Sequence, residues 1–402
     1  MIIVIDPGHG GENLGGEYEA YTEKELTPVV AQAMKEELEK YEGVEVYLTH
    51  DSDVDMSIED RALFAAEKDA DFLFCLHFNM SGDHNLYGAE VWVPATGEYY
   101  AKAYAFAQIQ MQEFTDLGLF SRGIKTRLNN RDENYYGILR YCTREGVPAA
   151  LIEHCHLDNY HDQPFYQQGE EQLKKFGVLD ATAVAKYFGL KSDILGVDYS
   201  DYPVPEAALP AGIVRPDGTE PESCDIEVLD IDEQTGEVTV SICARDEDSY
   251  ILYYDYSFDG GISYSELNPW PRPEAWNHSL EDHIFTVTVP FDQPVTFLAR
   301  AYNGFDLYTE SSQIALDVIP DPQRLAQEAA LAAEKERLVR QAKLRKEQES
   351  YQEITIEEPA LSQDQSALPF LGILALILLA MVFVSFIMAK KIDLLLKGRR
   401  KR

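Results

Sequence analysis

Short apolar runs alternate with amphipathic stretches over the first 191 residues of the chain. The apolar runs that predict strands occupy 2–5, 44–49, 72–76, 88–93 and 149–152. The stretches with apolar positions at helical spacing occupy 23–40, 57–68, 99–115, 134–144 and 170–188. Such alternation is typical of parallel strands joined by helices. We therefore predict an α/β domain over residues 1–191, with a mostly parallel, twisted sheet and helices on both of its faces.

The pattern changes after residue 191. Residues 192–223 contain five prolines and little periodicity, which indicates a Pro-rich linker. Over residues 224–320, short runs rich in β-branched and aromatic residues alternate with turn residues such as Asp259-Gly260-Gly261. This spacing predicts a small all-β domain, a sandwich of the immunoglobulin or fibronectin type. The sequence does not identify a partner protein for this β domain.

The last eighty residues divide into four segments. Residues 321–350 are mostly Ala, Leu, Glu, Lys, Arg and Gln and predict a charged helical stalk, and residues 351–367 form an acidic linker. Residues 368–389 contain no charged side chain and would form a helix about 33 Å long, enough to cross a bilayer. The predicted fold class therefore ends in one C-terminal transmembrane helix, followed by a basic tail over 390–402.

The charges that flank this apolar segment predict its orientation. Lysines and arginines concentrate after it, which by the positive-inside rule places the C-terminus in the cytoplasm of a single-pass cell-membrane protein. The α/β domain would then lie outside the membrane. An outside location requires an export signal, but no signal peptide precedes the first strand. Either the true start of the protein lies upstream of residue 1, or the tail inserts into the membrane after synthesis and the α/β domain stays in the cytoplasm. We favour the first alternative.

Composition excludes several classes of protein. A chain of 402 residues exceeds the size of one typical core, which supports several domains. The net charge of −36 argues against nucleic acid as a partner, because an acidic surface repels phosphates. Five scattered cysteines do not form a disulfide framework. Cys224 and Cys243 could pair, but we favour two unpaired thiols.

Polar residues follow three of the predicted strands. His9 lies in a glycine-rich turn after strand 2–5, His77 follows 72–76, and Glu153 follows 149–152. The carboxyl ends of parallel strands meet at one edge of a sheet, where ligands bind. Catalytic zinc takes three protein ligands and keeps one position for water. Glu23, at the start of a helix, is the natural third ligand, which leaves Glu153 as a base.

These four residues, in their surroundings, resemble the zinc-dependent N-acetylmuramoyl-L-alanine amidases of the Amidase_3 type. The resemblance covers roughly residues 1–190. It is carried by an ordered set of blocks: 6–11 (Asp-Pro-Gly-His-Gly-Gly), 23–25 (Glu-Lys-Glu), Arg61, 77–79 (His-Phe-Asn), 122–125 (Arg-Gly-Ile-Lys), 151–153 (Leu-Ile-Glu) and Asn159. Each block alone is common, whereas their order is specific.

The resemblance implies a reaction and a role for each residue. Zn²⁺ would be held by His9, Glu23 and His77, with Glu153 as the catalytic carboxylate. The substrate would be peptidoglycan, cleaved at the amide between the lactyl group of N-acetylmuramic acid and L-alanine. Three further residues are candidate substrate contacts: Asn79, Asn159 and Arg61. For the two asparagines, capping of a loop is an equally good alternative.

The chain departs from the family pattern after Glu153. Where the family usually has Gly-Phe, this chain has His154-Cys155-His156. A second metal site built from these residues and His161 is disfavoured, because neighbouring residues point in different directions. Two other functions stay open on the sequence: a zinc hydrolase of another amide, and a non-catalytic, membrane-anchored cell-wall scaffold. Intact metal ligands and base argue against the scaffold.

Overall fold

A computed structural model describes residues 1–271 and 282–354 of the chain. One compact unit spans Met1–Pro322, and a second begins at Gln323. The first unit contains both an α/β domain and a β-sandwich.

The α/β domain begins with the first strand of the chain and ends with a long helix. Its elements are β1 (Ile2–Pro7), β2 (Glu17–Tyr18), β3 (Tyr21–Thr22), α1 (Glu23–Leu38), β4 (Glu45–Leu48), α2 (Ile58–Glu67), β5 (Phe72–Asn79), β6 (Ala89–Trp92), α3 (Gly97–Leu117), β7 (Ser121–Lys125), α4 (Gly137–Glu145), β8 (Ala149–His156), α5 (Gln163–Tyr166) and α6 (Glu170–Phe188). A short hairpin of β9 (Lys191–Ser192) and β10 (Val197–Asp198) follows.

Six of these strands form one sheet in the order β4-β1-β5-β8-β6-β7. All neighbours are parallel except β6 and β8. Side chains alternate between its two faces: Ile3 and Ile5 pack into one core, and Val4 packs into another. Helices α1, α3 and α6 contribute to the first core, and α2 and α4 to the second. This matches the α/β part of the predicted fold.

The β-sandwich follows a segment that runs along the α/β domain. Val214 donates its backbone N–H to the carbonyl of Ala95 (2.8 Å), and Thr126 donates its hydroxyl to the carbonyl of Val214 (3.0 Å). Tyr199 and Tyr202 pack against the α/β core. The predicted linker 192–223 is therefore attached to the domain by hydrogen bonds and side-chain packing along its length.

The sandwich consists of two antiparallel sheets. Its strands are β11 (Ser223–Asp232), β12 (Glu237–Arg245), β13 (Ile251–Ser257), β14 (Asn268–Pro269), β15 (His283–Thr288), β16 (Val295–Asn303), β17 (Tyr308–Glu310) and β18 (Ile314–Leu316). One sheet has the order β11-β12-β15, and the other has β14-β13-β16-β17 with β18 also paired to β16. Cys224 and Cys243 are free thiols.

The helix α7 (Pro322–Ile354) begins at the last residue of the first unit, and all its other residues belong to the second. It carries Arg, Lys and Glu along its length. A charged side chain at the centre of a bilayer costs about 2.5–3.5 kcal/mol. In the part of the chain that the structure describes, no helix, α7 included, combines the length and the apolar character that a bilayer crossing requires. The predicted segment 368–389 lies outside the described residues. The lack of a membrane-spanning helix among the described residues contradicts the transmembrane helix in the predicted fold class and the predicted single-pass membrane localisation.

Candidate metal centre

Four predicted residues meet at one edge of the sheet. His9 lies in the loop after β1, Glu23 is the first residue of α1, His77 lies near the end of β5, and Glu153 lies in β8. His77 and Glu153 are direct neighbours in the register of β5 and β8. The structure therefore brings together residues that lie far apart in the sequence, as the strand-end pattern predicted.

The Glu23 carboxylate lies between the two imidazoles. Its Oε2 is 2.9 Å from His9 Nε2, and its Oε1 is 2.7 Å from His77 Nδ1. One ligand atom from each of the three residues lies within 4.8 Å of the other two. Two imidazole nitrogens and a carboxylate oxygen are a donor set that zinc accepts in catalytic sites. The three residues can therefore hold a metal ion.

Backbone and side-chain hydrogen bonds orient this group. Glu23 also accepts from the N–H of Gly16 (2.9 Å) and from the N–H of Phe78 (3.0 Å). His9 Nδ1 donates to Oδ1 of Asn13 (3.0 Å), which directs its Nε2 toward Glu23. A hydrogen bond to the second nitrogen of a histidine is the usual way in which proteins fix a metal ligand.

Glycines allow the loop to approach the ligands closely. A Cβ atom on Gly8 would lie 2.4 Å from Cε1 of His77. A Cβ atom on Gly15, where φ is +73°, would lie 2.6 Å from Oε2 of Glu23. Gly8 and Gly15 thus leave room for the metal ligands, which a side chain at either position would displace.

Glu23 and Glu153 differ in their electrostatic environment. Burial alone would raise the pKa of Glu23, but the attraction of His77 and hydrogen bonds from His77 and His9 hold it far below its usual value. Burial raises the pKa of Glu153 well above its usual value, and repulsion from Glu23 and Glu90 adds to this effect. The pKa of His9 is lowered by burial but raised more by its contact with Glu23.

Glu153 is buried, and its Oε2 has no hydrogen-bond partner among the described residues. It faces a cavity of about 380 Å³. Besides the four residues above, the walls of this cavity include the apolar side chains of Met56, Ile58, Ile138 and Leu151. An unpaired buried carboxyl oxygen beside a metal-capable group can accept and return a proton.

The three candidate substrate contacts have partners within the protein. Arg61 donates to Oδ1 of Asp6 (3.0 Å) and to the carbonyls of Pro7 (2.7 Å) and His9 (2.6 Å), so it holds the loop that carries His9. Asn79 lines the cavity but donates to Oε1 of Glu90 (2.8 Å). Asn159 donates to the carbonyls of His84 and Asn85 and so braces a neighbouring loop.

The histidines after Glu153 diverge. His154 contacts the carbonyl of His77 (2.9 Å) through Nδ1 and Oδ2 of Asp180 (2.9 Å) through Nε2. His156 contacts the carbonyl of Gly88 instead (3.1 Å). His154 and His156 are therefore directed at different parts of the domain.

The sequence analysis did not single out Glu90, which lies directly opposite Glu153 in the antiparallel pair β6 and β8. Glu90 is 2% exposed and is surrounded by donors, as described below. The available signal was a lone charged residue inside the apolar run 88–93, which indicates a buried, paired carboxylate.

The fold and the site together define an α/β domain with a candidate mononuclear metal centre at the carboxyl edge of its sheet. Residues 3–185 match the family model Amidase_3, described as N-acetylmuramoyl-L-alanine amidase. This part of the chain is therefore an Amidase_3 domain, which confirms the resemblance predicted from the motifs.

Several known proteins are similar to this chain. The sporulation-specific N-acetylmuramoyl-L-alanine amidase of Bacillus subtilis (strain 168) is 33% identical over 165 residues, which are 40% of this chain and 58% of that protein. The N-acetylmuramoyl-L-alanine amidase CwlM of Bacillus licheniformis is 32% identical over 191 residues, or 47% of this chain and 66% of that protein. The chain thus spans less than two thirds of either relative.

A solved structure is also similar. The catalytic domain of CwlV, an N-acetylmuramoyl-L-alanine amidase from Bacillus (Paenibacillus) polymyxa var. colistinus, is 25% identical. The match covers 47% of this chain and 99% of that chain, with a TM-score of 0.40.

Proposed function

We propose that the protein is a zinc-dependent N-acetylmuramoyl-L-alanine amidase. It hydrolyses the amide between the lactyl group of N-acetylmuramic acid and L-alanine in peptidoglycan. The observation that carries this proposal is the unpartnered Oε2 of Glu153 in the same cavity as the His9–Glu23–His77 group, whose ligand atoms lie within 4.8 Å of one another.

His9, Glu23 and His77 would hold the zinc ion. Two nitrogens and one oxygen suit zinc, and the glycine turn leaves the ligands room to face one another. When bound, zinc would supply Lewis acidity toward the scissile carbonyl and lower the pKa of water. Amidase_3 family membership supports zinc rather than another metal.

Glu153 handles the proton. As water attacks the carbonyl carbon, Glu153 accepts a proton from it, and as the carbon–nitrogen bond breaks, Glu153 gives that proton to the departing amine of L-alanine. Burial raises the pKa of Glu153. A raised pKa makes the carboxylate a stronger base toward water, and the carboxyl group that results can still pass the proton to the amine.

The apolar wall of the cavity suits the methyl groups on either side of the scissile amide. The lactyl group and L-alanine each carry one methyl, and Met56, Ile58, Ile138 and Leu151 supply apolar surface beside the polar centre. Arg61 and Asn79 act through the residues that they hold in place. A substrate contact by Asn159 stays a prediction.

The test is hydrolysis of purified peptidoglycan by the full chain loaded with zinc. The expected result is the appearance of L-alanine amino termini, lost with a chelator and recovered with added zinc. Glu153→Gln should keep a wild-type zinc content and lower kcat by roughly 10²- to 10⁴-fold, because it removes proton transfer alone. His9→Ala should lose both zinc and activity.

Other outcomes would contradict parts of this proposal. New amino termini other than L-alanine would identify a hydrolase of another amide. No release by a folded, zinc-loaded protein would indicate a scaffold. Normal zinc content in His9→Ala would overturn the ligand assignment.

A further inference from the structure

We propose that the β-sandwich helps to position the residues of the active site. Asp306 and Tyr253 of the sandwich are the positioning residues, and the region that they position is the one around Glu153. They act through Arg122 and Glu90 of the α/β domain. The kinetic part of this inference rests on the proposed amidase function, whereas its structural part stands apart from that function.

Glu90 is the link nearest to the cavity. It lies opposite Glu153 in β6 and β8. Its Oε1 accepts from Nδ2 of Asn79 (2.8 Å) and from Nε1 of Trp92 (3.1 Å). Asn79 lines the cavity two residues beyond His77. A displacement of the Glu90 carboxylate would therefore reach the cavity wall through Asn79 and through the strand that carries Glu153.

Arg122 connects Glu90 to the sandwich. Its Nε donates to Oε2 of Glu90 (2.9 Å), its Nη1 to the hydroxyl of Tyr253 (3.2 Å), and its Nη2 to Oδ2 of Asp306 (2.7 Å). The side chain is 2% exposed. Two of the three partners of this buried guanidinium thus come from the other domain, 131 and 184 residues away.

The salt bridges of this network join two buried cations to carboxylates of both domains. Lys125 also donates to Oε2 of Glu90 (2.7 Å), so Arg122 and Lys125 face the single carboxylate of Glu90 within the α/β domain. Asp306 supplies the second negative charge. A buried charge without a partner is strongly unfavourable, so without Asp306 the two cations must rearrange around Glu90.

Close packing surrounds the network. Tyr87 of the α/β domain packs in one apolar cluster with Leu252, Tyr253 and Leu267 of the sandwich. The hydroxyl of Tyr253 donates to the carbonyl of Tyr87, and the hydroxyl of Tyr250 donates to the carbonyl of Arg122 (2.5 Å). These contacts hold the backbone at Tyr87 and at Arg122 against the sandwich, so the position of the guanidinium depends on the docked sandwich.

The test compares two aspartates of the sandwich that each pair with an arginine in the full chain. Asp306→Asn removes the charge that faces Arg122. Asp255→Asn is the matched control, because Asp255 is 2% exposed and pairs with Arg300 inside the sandwich. We expect Asp306→Asn to lower kcat roughly 10- to 100-fold with KM changed less than about twofold and zinc content unchanged. Asp255→Asn should lower thermal stability while kcat stays within about twofold of wild type.

A second readout does not depend on activity. In hydrogen exchange, the amides of 89–92 in β6 should exchange faster in Asp306→Asn than in wild type, and Asp306→Glu should restore part of both the protection and kcat. Unchanged kcat and unchanged exchange in folded Asp306→Asn would overturn the proposal. So would equal losses of kcat in Asp306→Asn and Asp255→Asn. If the wild type does not cleave peptidoglycan, the proposed function fails, and exchange at β6 alone decides this inference.

Discussion

The neighbours of two carboxyl groups in one cavity shift the pKa values of these groups in opposite directions. Glu23 contacts two imidazoles and has a lowered pKa, whereas Glu153 is buried without a cationic partner and has a raised pKa. Groups whose pKa values are pushed apart in this way commonly divide the roles of ligand or stabiliser and of acid or base. The residue environments therefore agree with the roles proposed for both carboxylates.

Asp162 gives a pH-dependent prediction outside the metal centre. Burial raises its pKa to about 6, despite hydrogen bonds from the backbone N–H groups of His156 and Gly88. Because this folded-state pKa lies above the ordinary value of 3.8, the folded protein binds more protons than the unfolded chain between about pH 4 and 6. The contribution of Asp162 to stability is present below pH 4 and is lost as the pH rises through 6.

Asp162→Asn should remove this dependence, since an amide does not ionise and can still accept both backbone hydrogen bonds. We expect its free energy of unfolding to exceed that of wild type at pH 7 by on the order of 1–2 kcal/mol, with no gain at pH 4. Denaturant unfolding at the two pH values measures the difference. An equal effect of the substitution at both pH values would contradict the assignment.

At the scale of elements, the loop between β1 and α1 depends on glycine for its shape. Gly15→Ala would place a Cβ atom against Glu23 at a φ of +73°. We expect zinc affinity to fall roughly 10- to 100-fold, because a displaced ligand costs about as much as a lost outer-shell contact. Titration with zinc against a competing chelator measures this change.

Gly82→Ala is the control for this substitution. A Cβ atom there would meet nothing within 4 Å. Its zinc affinity should match that of wild type. Equal affinities of Gly15→Ala and wild type would mean that the loop moves without disturbing Glu23.

The sequence predicted those residues of the candidate site that directly follow the ends of strands. His9, His77 and Glu153 were predictable because each follows an apolar run that parallel strands bring to one edge. Strand β7 was not predicted, because Ser121–Lys125 contains Arg, Gly and Lys and lacks the apolar pattern of a buried strand. Its two cations, Arg122 and Lys125, are buried against the carboxylates of Glu90 and Asp306, which lie far away in the sequence. A local sequence pattern does not reveal such pairing.

At the scale of the whole molecule, the sequence indicated two domains but not the contact between them. Arg122 and Asp306 are 184 residues apart, and no sequence motif predicts that they form a pair. The change in composition across residues 192–223 predicted a linker between the domains and gave no sign of a contact between them. The docked arrangement depends on side chains of both domains, so it can be seen only in the folded structure.

Removal of the sandwich should destabilise the α/β domain. A fragment of residues 1–202 keeps the β9–β10 hairpin but exposes Arg122, Tyr87 and Phe120, which the sandwich covers. Compared with residues 1–322, we expect the fragment to unfold at a temperature lower by on the order of 5 °C or more, and to bind a hydrophobic dye. Equal midpoints of thermal unfolding and no dye binding would show that the sandwich is dispensable for folding.

The shared network around Arg122 also limits how such a gene can be recombined. An exchange of the segment that encodes only one of the two domains would separate Arg122 from Asp306 and Tyr253, and the hybrid protein would inherit an unmatched guanidinium beside Glu90. Breakpoints after the compact unit that ends at Pro322 would keep all partners together. In descendants of this gene, the α/β domain and the sandwich are therefore expected to be inherited as one piece, with residues 122 and 306 changing together.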